Sequence, residues 1–336
     1  MPRHPLEVLF GGEKSIPILP GCEHFAGTEE RILKAFELQD QMGGVFDLTM
    51  DCEDGAPTGA ETEHCELVVR LQNSPLNKYK MAGVRIHDYS HAHWRQDVDV
   101  IVGGAATNLA YVTIPKTMKI AEFREMVDRV QDRAAKGGAD RPIPIHALIE
   151  TQASLHMVWE IAETPGIQVL DFGLMDFVSD HHGAIPSAAM RSPLQFEHAL
   201  LRRAKAEVVA AALANNIVPA HNVTLELRDQ DFIFGDAQRA RQEFGFLRQW
   251  SIHPAQIAPI TRAMSPALPE IALAEAIILK AYAADWGPIQ HEGNLHDRAT
   301  YRQYWEQLQR AYMQNVPLSD EVKNTFFADR VPAGGL

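Results

Sequence analysis

The chain has 336 residues, 46% of them hydrophobic, enough for a large buried core. Its net charge of −13 argues against a nucleic-acid partner, whose phosphates demand a basic face, but leaves room for a small anionic substrate held by a few arginines. Three cysteines, Cys22, Cys52 and Cys65, give neither a disulfide framework nor a CxxC metal pair, and no run approaches the roughly 20 apolar residues of a membrane span. No long apolar run follows the N-terminus, so no signal peptide is expected and the expectation is a cytoplasmic protein without membrane attachment.

In chain order, residues 15–20 read as a short apolar strand stopped by Pro20 and Gly21. Residues 29–41 read as a helix with Ile32, Leu33 and Phe36 on one face. A second strand over 45–50 runs into the acidic segment Asp51-Cys-Glu-Asp54, and 60–71 is a helix. A third strand over 80–86 carries Arg85 near its end, 94–101 has helical character, and a fourth strand over 110–114 ends at Pro115-Lys116. The helical pattern is clearest over 121–136, where Phe123, Met126, Val127 and Val130 share a face and Gly137-Gly138 closes the helix. Then comes the stretch around which the rest is organised. Ala147, Leu148 and Ile149 end a buried strand at Glu150, 155–162 is a helix with one apolar face, and Val169 and Leu170 end the next strand ahead of Gly173 and Asp176. Strand, helix and strand in this form are a parallel crossover, which sets Glu150 and Asp176 at the same edge of neighbouring strands. An Ala-rich helix over 194–215, a weak seventh strand over 217–220, a helix over 229–244 and an eighth strand over 249–252 complete the series. Helices are expected over 269–284 and 298–315, with a polar loop over 286–297 and a loosely held tail from Pro317.

Eight strands alternating with helices, over roughly the 250 residues typical of the fold, argue a (β/α)8 TIM barrel over 1–265. A C-terminal helical extension over 266–336 follows. A doubly wound sheet is the competitor, but no early GxGxxG turn supports a dinucleotide-binding version.

Barrel enzymes work at the C-terminal ends of their strands. The residues expected there are Glu53, Asp54, Arg85, Lys116, Glu150, Asp176 and His253. Glu150 and Asp176, with no adjacent Lys or Arg in sequence, repel one another unless a cation sits between them, and an oxygen-only pair suits Mg²⁺ or Mn²⁺. Such a cation can chelate a 2-oxo acid and polarise its carbonyl, while Arg85 can clamp a carboxylate or stabilise an enolate oxygen. Together they fit carbon–carbon bond making or breaking through an enolate. Plainer readings stand beside these. Both acids can be loop or helix-capping residues, Arg85 a counter-charge to Glu53 or Asp54, Lys116 an ordinary surface lysine, and His253 a hydrogen-bonder at a helix start. His87, His91, His93, His181 and His182 lack a further ligand at zinc spacing, and the acids flanking Cys52 disfavour its thiolate.

Six segments, in order, carry a family resemblance. Asp51-Cys-Glu-Asp-Gly-Ala-Pro57 is similar to an Asp-Leu-Glu-Asp-Ala-Val-Pro motif, Val84-Arg-Ile-His87 to Val-Arg-Ile-Asn, and Ile114-Pro-Lys116 to Leu-Pro-Lys. Ile149-Glu-Thr151 and Phe172-Gly-Leu-Met-Asp176 are similar to two metal-ligand segments, and Ile252-His-Pro-Ala-Gln256 to Ile-His-Pro-x-Gln. From about residue 16 to residue 297 the chain resembles the citrate lyase β-subunit-like proteins of the HpcH/HpaI aldolase superfamily, a group that includes malyl-CoA lyases. The resemblance implies a Mg²⁺-binding barrel with Glu150 and Asp176 as ligands, Mn²⁺ being the other candidate ion. It implies Arg85 as the catalytic enolate contact, Arg85 and Lys116 as substrate-binding residues, and Glu53 and Asp54 holding metal waters. It also implies a catalytic carboxylate from a neighbouring subunit's C-terminal segment. Asp297, in Gly293-Asn-Leu-His-Asp297, is the candidate and Glu292 the alternative, so a homo-oligomer, trimer or hexamer, is expected. The implied reaction cleaves a β-hydroxyacyl thioester or 3-hydroxy acid to a 2-oxo acid and an enolate-derived fragment. A CoA-independent 2-oxo-acid aldolase and an acyl- or metabolite-binding protein are the alternatives. Three segments depart from the family. Cys22-Glu-His-Phe-Ala-Gly27 stands where basic residues after the first strand usually help bind coenzyme A, Pro219-Ala-His-Asn222 replaces an Asp-Gly turn, and His181-His182-Gly183 replaces Asp-Leu-Gly. The metal site is therefore expected to be kept and the coenzyme A contacts to be altered.

Overall fold

The computed structural model describes residues 3–13 and 15–328. Eight parallel strands close into a barrel in sequence order: β1 (Cys22–Ala26), β2 (Asp47–Asp51), β3 (Ala82–Arg85), β4 (Val112–Ile114), β5 (Ile145–Ile149), β6 (Ile167–Phe172), β7 (Val218–His221) and β8 (Arg248–Ser251). Closure comes from β8 pairing with β1, Cys22 opposite Gln249 and His24 opposite Ser251. The barrel sheet therefore has no open edge for another chain to pair with. Helices cover the outside. Ile120–Lys136 shows why: Phe123, Met126, Val127, Val130 and Ala134 are buried at helical spacing, and the remaining faces are charged. The chain is thus a (β/α)8 barrel, and its C-terminal region is helical.

The described residues fall into two compact units, the barrel over Gly21–Met264 and a second unit formed by the N-terminal residues through Pro20 with the chain from Ser265 onward. Inside the second unit, Val8, Leu9 and Phe10 share a core with Ile277, Trp305 and Phe326.

Several local expectations change. Residues 15–20 form no strand, because Pro17 and Pro20 cannot donate to a ladder; Cys22–Ala26 takes that place, bonded on both sides to β2 and β8. The segment read as a loop departing from the family is therefore the first strand itself. The helix over 155–162 is two short helices, Gln152–His156 and Val158–Ala162, and the helix over 194–215 breaks at His198, whose ψ of 125° is extended. The loop over 286–297 contains an antiparallel hairpin, Ile289–His291 with Asn294–His296, turned by Glu292 and Gly293 at φ of 48° and 81°. The tail after Pro317 is not loose through residue 328. Ser319 caps a helix over Asp320–Phe326, and Leu318, Val322 and Phe326 are buried at four-residue steps. No helix among the described residues is long and apolar enough to cross a membrane.

Candidate active site at the mouth of the barrel

The C-terminal ends of β2 and β3 lie side by side, and their register sets Asp51 opposite Arg85. Arg85 grips Asp51 with two parallel bonds, Nε to Oδ1 at 2.7 Å and Nη2 to Oδ2 at 2.5 Å. Asp51 also accepts the backbone N–H of Glu53 at 3.0 Å and of Gly55 at 2.8 Å. Burial raises its carboxyl, but Arg85 and the two N–H groups outweigh burial and hold it below the usual carboxylate range. Arg85 Nη1 lies 2.9 Å from Glu53 Oε2, and the guanidinium sits 5.4 Å from the centre of the Phe25 ring. Two of its five N–H groups are thus bonded to Asp51, and the contact with Glu53 Oε2 is an ion pair without a hydrogen bond.

Across the mouth stands Glu150, directly after β5 and fully buried. Its Oε1 accepts the backbone N–H of Lys116 at 2.8 Å. Gly173, after β6, packs against it so closely that a Cβ there would lie 2.4 Å from Glu150 Cβ and 2.6 Å from Oε2. This glycine is required by that approach. Asp176 follows within the helix Leu174–Ser179 and is partly exposed. Burial and the Asp176 charge push the Glu150 carboxyl up to about 8, with Arg85 opposing and Glu53 adding to the rise. A buried carboxylate facing a second one, with one backbone donor and no side-chain cation bonded to it among the described residues, fits a divalent cation with oxygen ligands.

Lys116 ends the β4 segment in a left-handed conformation, φ 47°, which L residues adopt only under constraint. Its ammonium bonds Glu53 Oε1 and, at 3.0 Å, both oxygens of Asp54, and lies 4.0 Å from Asp176 Oδ1. Burial opposes its charge, but these carboxylates raise its pKa and keep it protonated, so no neutral amine is offered for a Schiff base. Burial leaves Glu53 above its usual range in spite of Arg85 and Lys116.

Several of these groups line a cavity of about 340 Å³. One wall is polar, with Asp51, Asp54, Arg85, Glu150 and Asp176; the other is apolar, with Phe25, Val223, Leu225 and Trp250. Phe25 and Trp250 stack at 4.6 Å. Arg31, from the first turn of the helix Glu29–Met42, also lines the cavity, so the segment after the true first strand does supply a basic residue.

Glu53, Asp54, Arg85, Lys116, Glu150 and Asp176 therefore come together at one mouth. Asp297 does not lie in the barrel unit. It caps the helix Arg298–Met313, its Oδ1 accepting the Ala299 N–H at 2.9 Å, and Glu292 is exposed in the hairpin turn. His253 acts at a helix start, Nδ1 accepting the Ala255 N–H at 3.2 Å. His87 is tied to Asp97 Oδ2 at 2.7 Å and stacks on His91 at 3.9 Å. Sequence reading missed Asp51 as the partner of Arg85. The signal was there, since each closes its strand and adjacent parallel strands bring such closing residues side by side. Phe25 and Trp250 gave no comparable signal.

The HpcH/HpaI aldolase/citrate lyase family matches residues 45–254 of this chain. The L-malyl-CoA/β-methylmalyl-CoA lyase of Rhodobacter capsulatus is 26% identical over 268 residues, 76% of this chain and 84% of that protein. The crystal structure of a citrate lyase from Burkholderia xenovorans LB400 is 47% identical with a TM-score of 0.83, covering 96% of this chain and 100% of the other. The CitE protein of Mycobacterium tuberculosis, solved with magnesium, acetoacetate and coenzyme A, shares the fold, with 19% identity and a TM-score of 0.65 over 87% of this chain and 98% of that one. The matched span runs from the start of β2 to the end of the barrel and takes in every side chain of the polar wall; the chain belongs to the HpcH/HpaI aldolase/citrate lyase family and is a carbon–carbon lyase.

Proposed function

We propose that this lyase depends on a divalent cation, Mg²⁺ or alternatively Mn²⁺, held by Glu150 and Asp176. It cleaves a 3-hydroxyacyl thioester or 3-hydroxy acid to a 2-oxo acid and an enolate-derived fragment. The observation that carries this reading is the Glu150 carboxyl, fully buried, raised to about 8 and set against Asp176. Bound there, the ion supplies Lewis-acid polarisation of an oxo acid's carbonyl and carboxylate oxygens. Arg85, anchored by Asp51 and ion-paired to Glu53, turns its remaining N–H groups to the substrate carboxylate or the developing enolate oxygen. Lys116 contributes positive charge to substrate binding, and Glu53 and Asp54 hold water around the ion. The apolar wall keeps water from the enolate-bearing fragment. The similarity to the R. capsulatus lyase and to the magnesium- and coenzyme A-bearing CitE protein supports the thioester form of the substrate.

The catalytic acid/base of this reading is Asp297 from a neighbouring copy in a homo-oligomer, trimer or hexamer. Mixing inactive Glu150→Gln and Asp297→Asn proteins under exchange conditions then restores part of the activity, and no restoration argues against the shared site. The reaction itself is tested with Mg²⁺ and malyl-, citramalyl- and citryl-type thioesters beside the free acids, trapping released 2-oxo acid with phenylhydrazine. Release from a thioester supports the reading; release from free acids alone turns it to a CoA-independent aldolase. Binding without turnover across the panel turns it to a metabolite-binding protein.

A further inference from the structure

We propose that the interior of the barrel holds a second divalent-cation site, formed by Glu23, His146 and Asp171 and suited to a first-row transition ion such as Zn²⁺, Mn²⁺ or Fe²⁺. The three residues sit on β1, β5 and β6, below the mouth, and all are fully buried. One ligand atom from each lies within 4.8 Å of the other two.

Each of the three has one polar atom held from outside the cluster and a second that makes no hydrogen bond, although Glu23 Oε2 is also ion-paired to Arg248 Nη2 at 3.2 Å. Glu23 Oε1 accepts the Thr49 hydroxyl at 2.7 Å, His146 Nε2 meets Gln168 Oε1 at 3.2 Å, and Asp171 Oδ1 accepts the Trp250 indole N–H at 2.7 Å. The atoms left over are Glu23 Oε2, His146 Nδ1 and Asp171 Oδ2, buried and without a hydrogen-bond partner among the described residues. Glu23 Oε2 and His146 Nδ1 approach to 3.4 Å, and Tyr111 stacks on the imidazole at 3.9 Å, which fixes the ring. Ligands oriented through their non-coordinating atoms are the usual construction of a metal centre.

Charge points the same way. Arg248 lies 2.6 Å from Asp47 and 3.2 Å from Glu23, and both of its partners are buried. The three carboxylates Glu23, Asp47 and Asp171 against the one guanidinium leave two negative charges in a place without water contact, which one divalent cation balances. The alternative balance is protonation of the acids with no ion bound. An imidazole among the ligands separates this site from the oxygen-only pair at the mouth and favours a transition ion over Mg²⁺. The inference does not rest on the proposed reaction.

The test is metal analysis by plasma mass spectrometry of wild-type protein, Glu150→Gln, His146→Gln and Asp171→Asn, each dialysed against a chelator. The expected result is about one equivalent of a transition metal kept by wild type and by Glu150→Gln, falling roughly tenfold or more in the other two variants. A wild-type protein free of transition metal, or one whose metal content His146→Gln leaves unchanged, overturns the proposal. Should the interior variants fail to fold, anomalous scattering from wild-type crystals at the metal edge decides. A peak between Glu23, His146 and Asp171 supports the site, and its absence overturns it.

Discussion

The two sides of the barrel mouth hold the same kind of group in opposite circumstances. Asp51 is buried, yet it accepts two backbone N–H groups and two guanidinium N–H groups and stays ionised below its usual range. Glu150 is as deeply buried, accepts one backbone N–H and is pushed up to about 8. Burial is common to both, so the neighbours decide: the Arg85 charge and four donors hold Asp51 ionised, while the Asp176 charge adds to the rise of Glu150. The protein itself compensates the acid that positions Arg85, and leaves the acid across the mouth without a bonded cation of its own among the described residues, as the proposed ion site requires.

The strongest way to break this contrast is Asp51→Ala. It strips Arg85 of its bidentate partner inside the barrel, and a loss on the order of 3–5 kcal/mol is expected, read from the urea midpoint. An unchanged midpoint would mean that Asp51 is not the compensated member of the pair. Glu150→Gln should act in the opposite direction in metal-free protein. The folded carboxyl titrates near 8 against an ordinary 4.5, so the folded state binds the proton more tightly. The group is then harmless below about pH 4.5, costs stability as pH rises towards 8, and costs it fully above, by on the order of a few kcal/mol. Thermal unfolding should show the variant more stable than wild type at pH 9 and equal to it near pH 4.5; equal stability at both would sink the assignment. Gly173→Ala sharpens the same side. Its Cβ would displace Glu150, and a drop in Mg²⁺ affinity of about tenfold or more is expected by titration, with the fold kept. The smallest effect belongs to His253→Ala, which removes a hydrogen bond at a helix start and should cost about 1 kcal/mol or less with turnover unchanged.

The barrel was legible because buried parallel strands read as apolar runs, and Ala147–Ile149 running into Glu150 gave both a strand and its functional end. The first strand was not legible, for a physical reason. Glu23 and His24 make Cys22–Ala26 look like a polar loop, yet Glu23 Oε1 and His24 Nδ1 find partners inside the barrel in Thr49 and Ser251. Residues 15–20 look like a strand but carry two prolines. The error had a functional cost, since it hid Arg31 as the basic residue after the strand. At the mouth, carboxylates and cations could be read as a group, but their pairing could not. Arg85 chose Asp51 through register, and Lys116 chose Glu53 and Asp54 through a left-handed backbone that residue type alone does not announce. The hairpin at Ile289–His296 and the helix Asp320–Phe326 were hidden by short length and few apolar residues.

The most direct test is a calorimetric titration of Mg²⁺ into wild-type and Glu150→Gln protein at pH 7, in buffers of different ionisation enthalpy. The account predicts one site in wild type whose filling releases up to about one proton per ion, because binding must ionise a carboxyl held near 8, and no such site in the variant. Equal affinity in both proteins, or binding to wild type with no proton released, would contradict it.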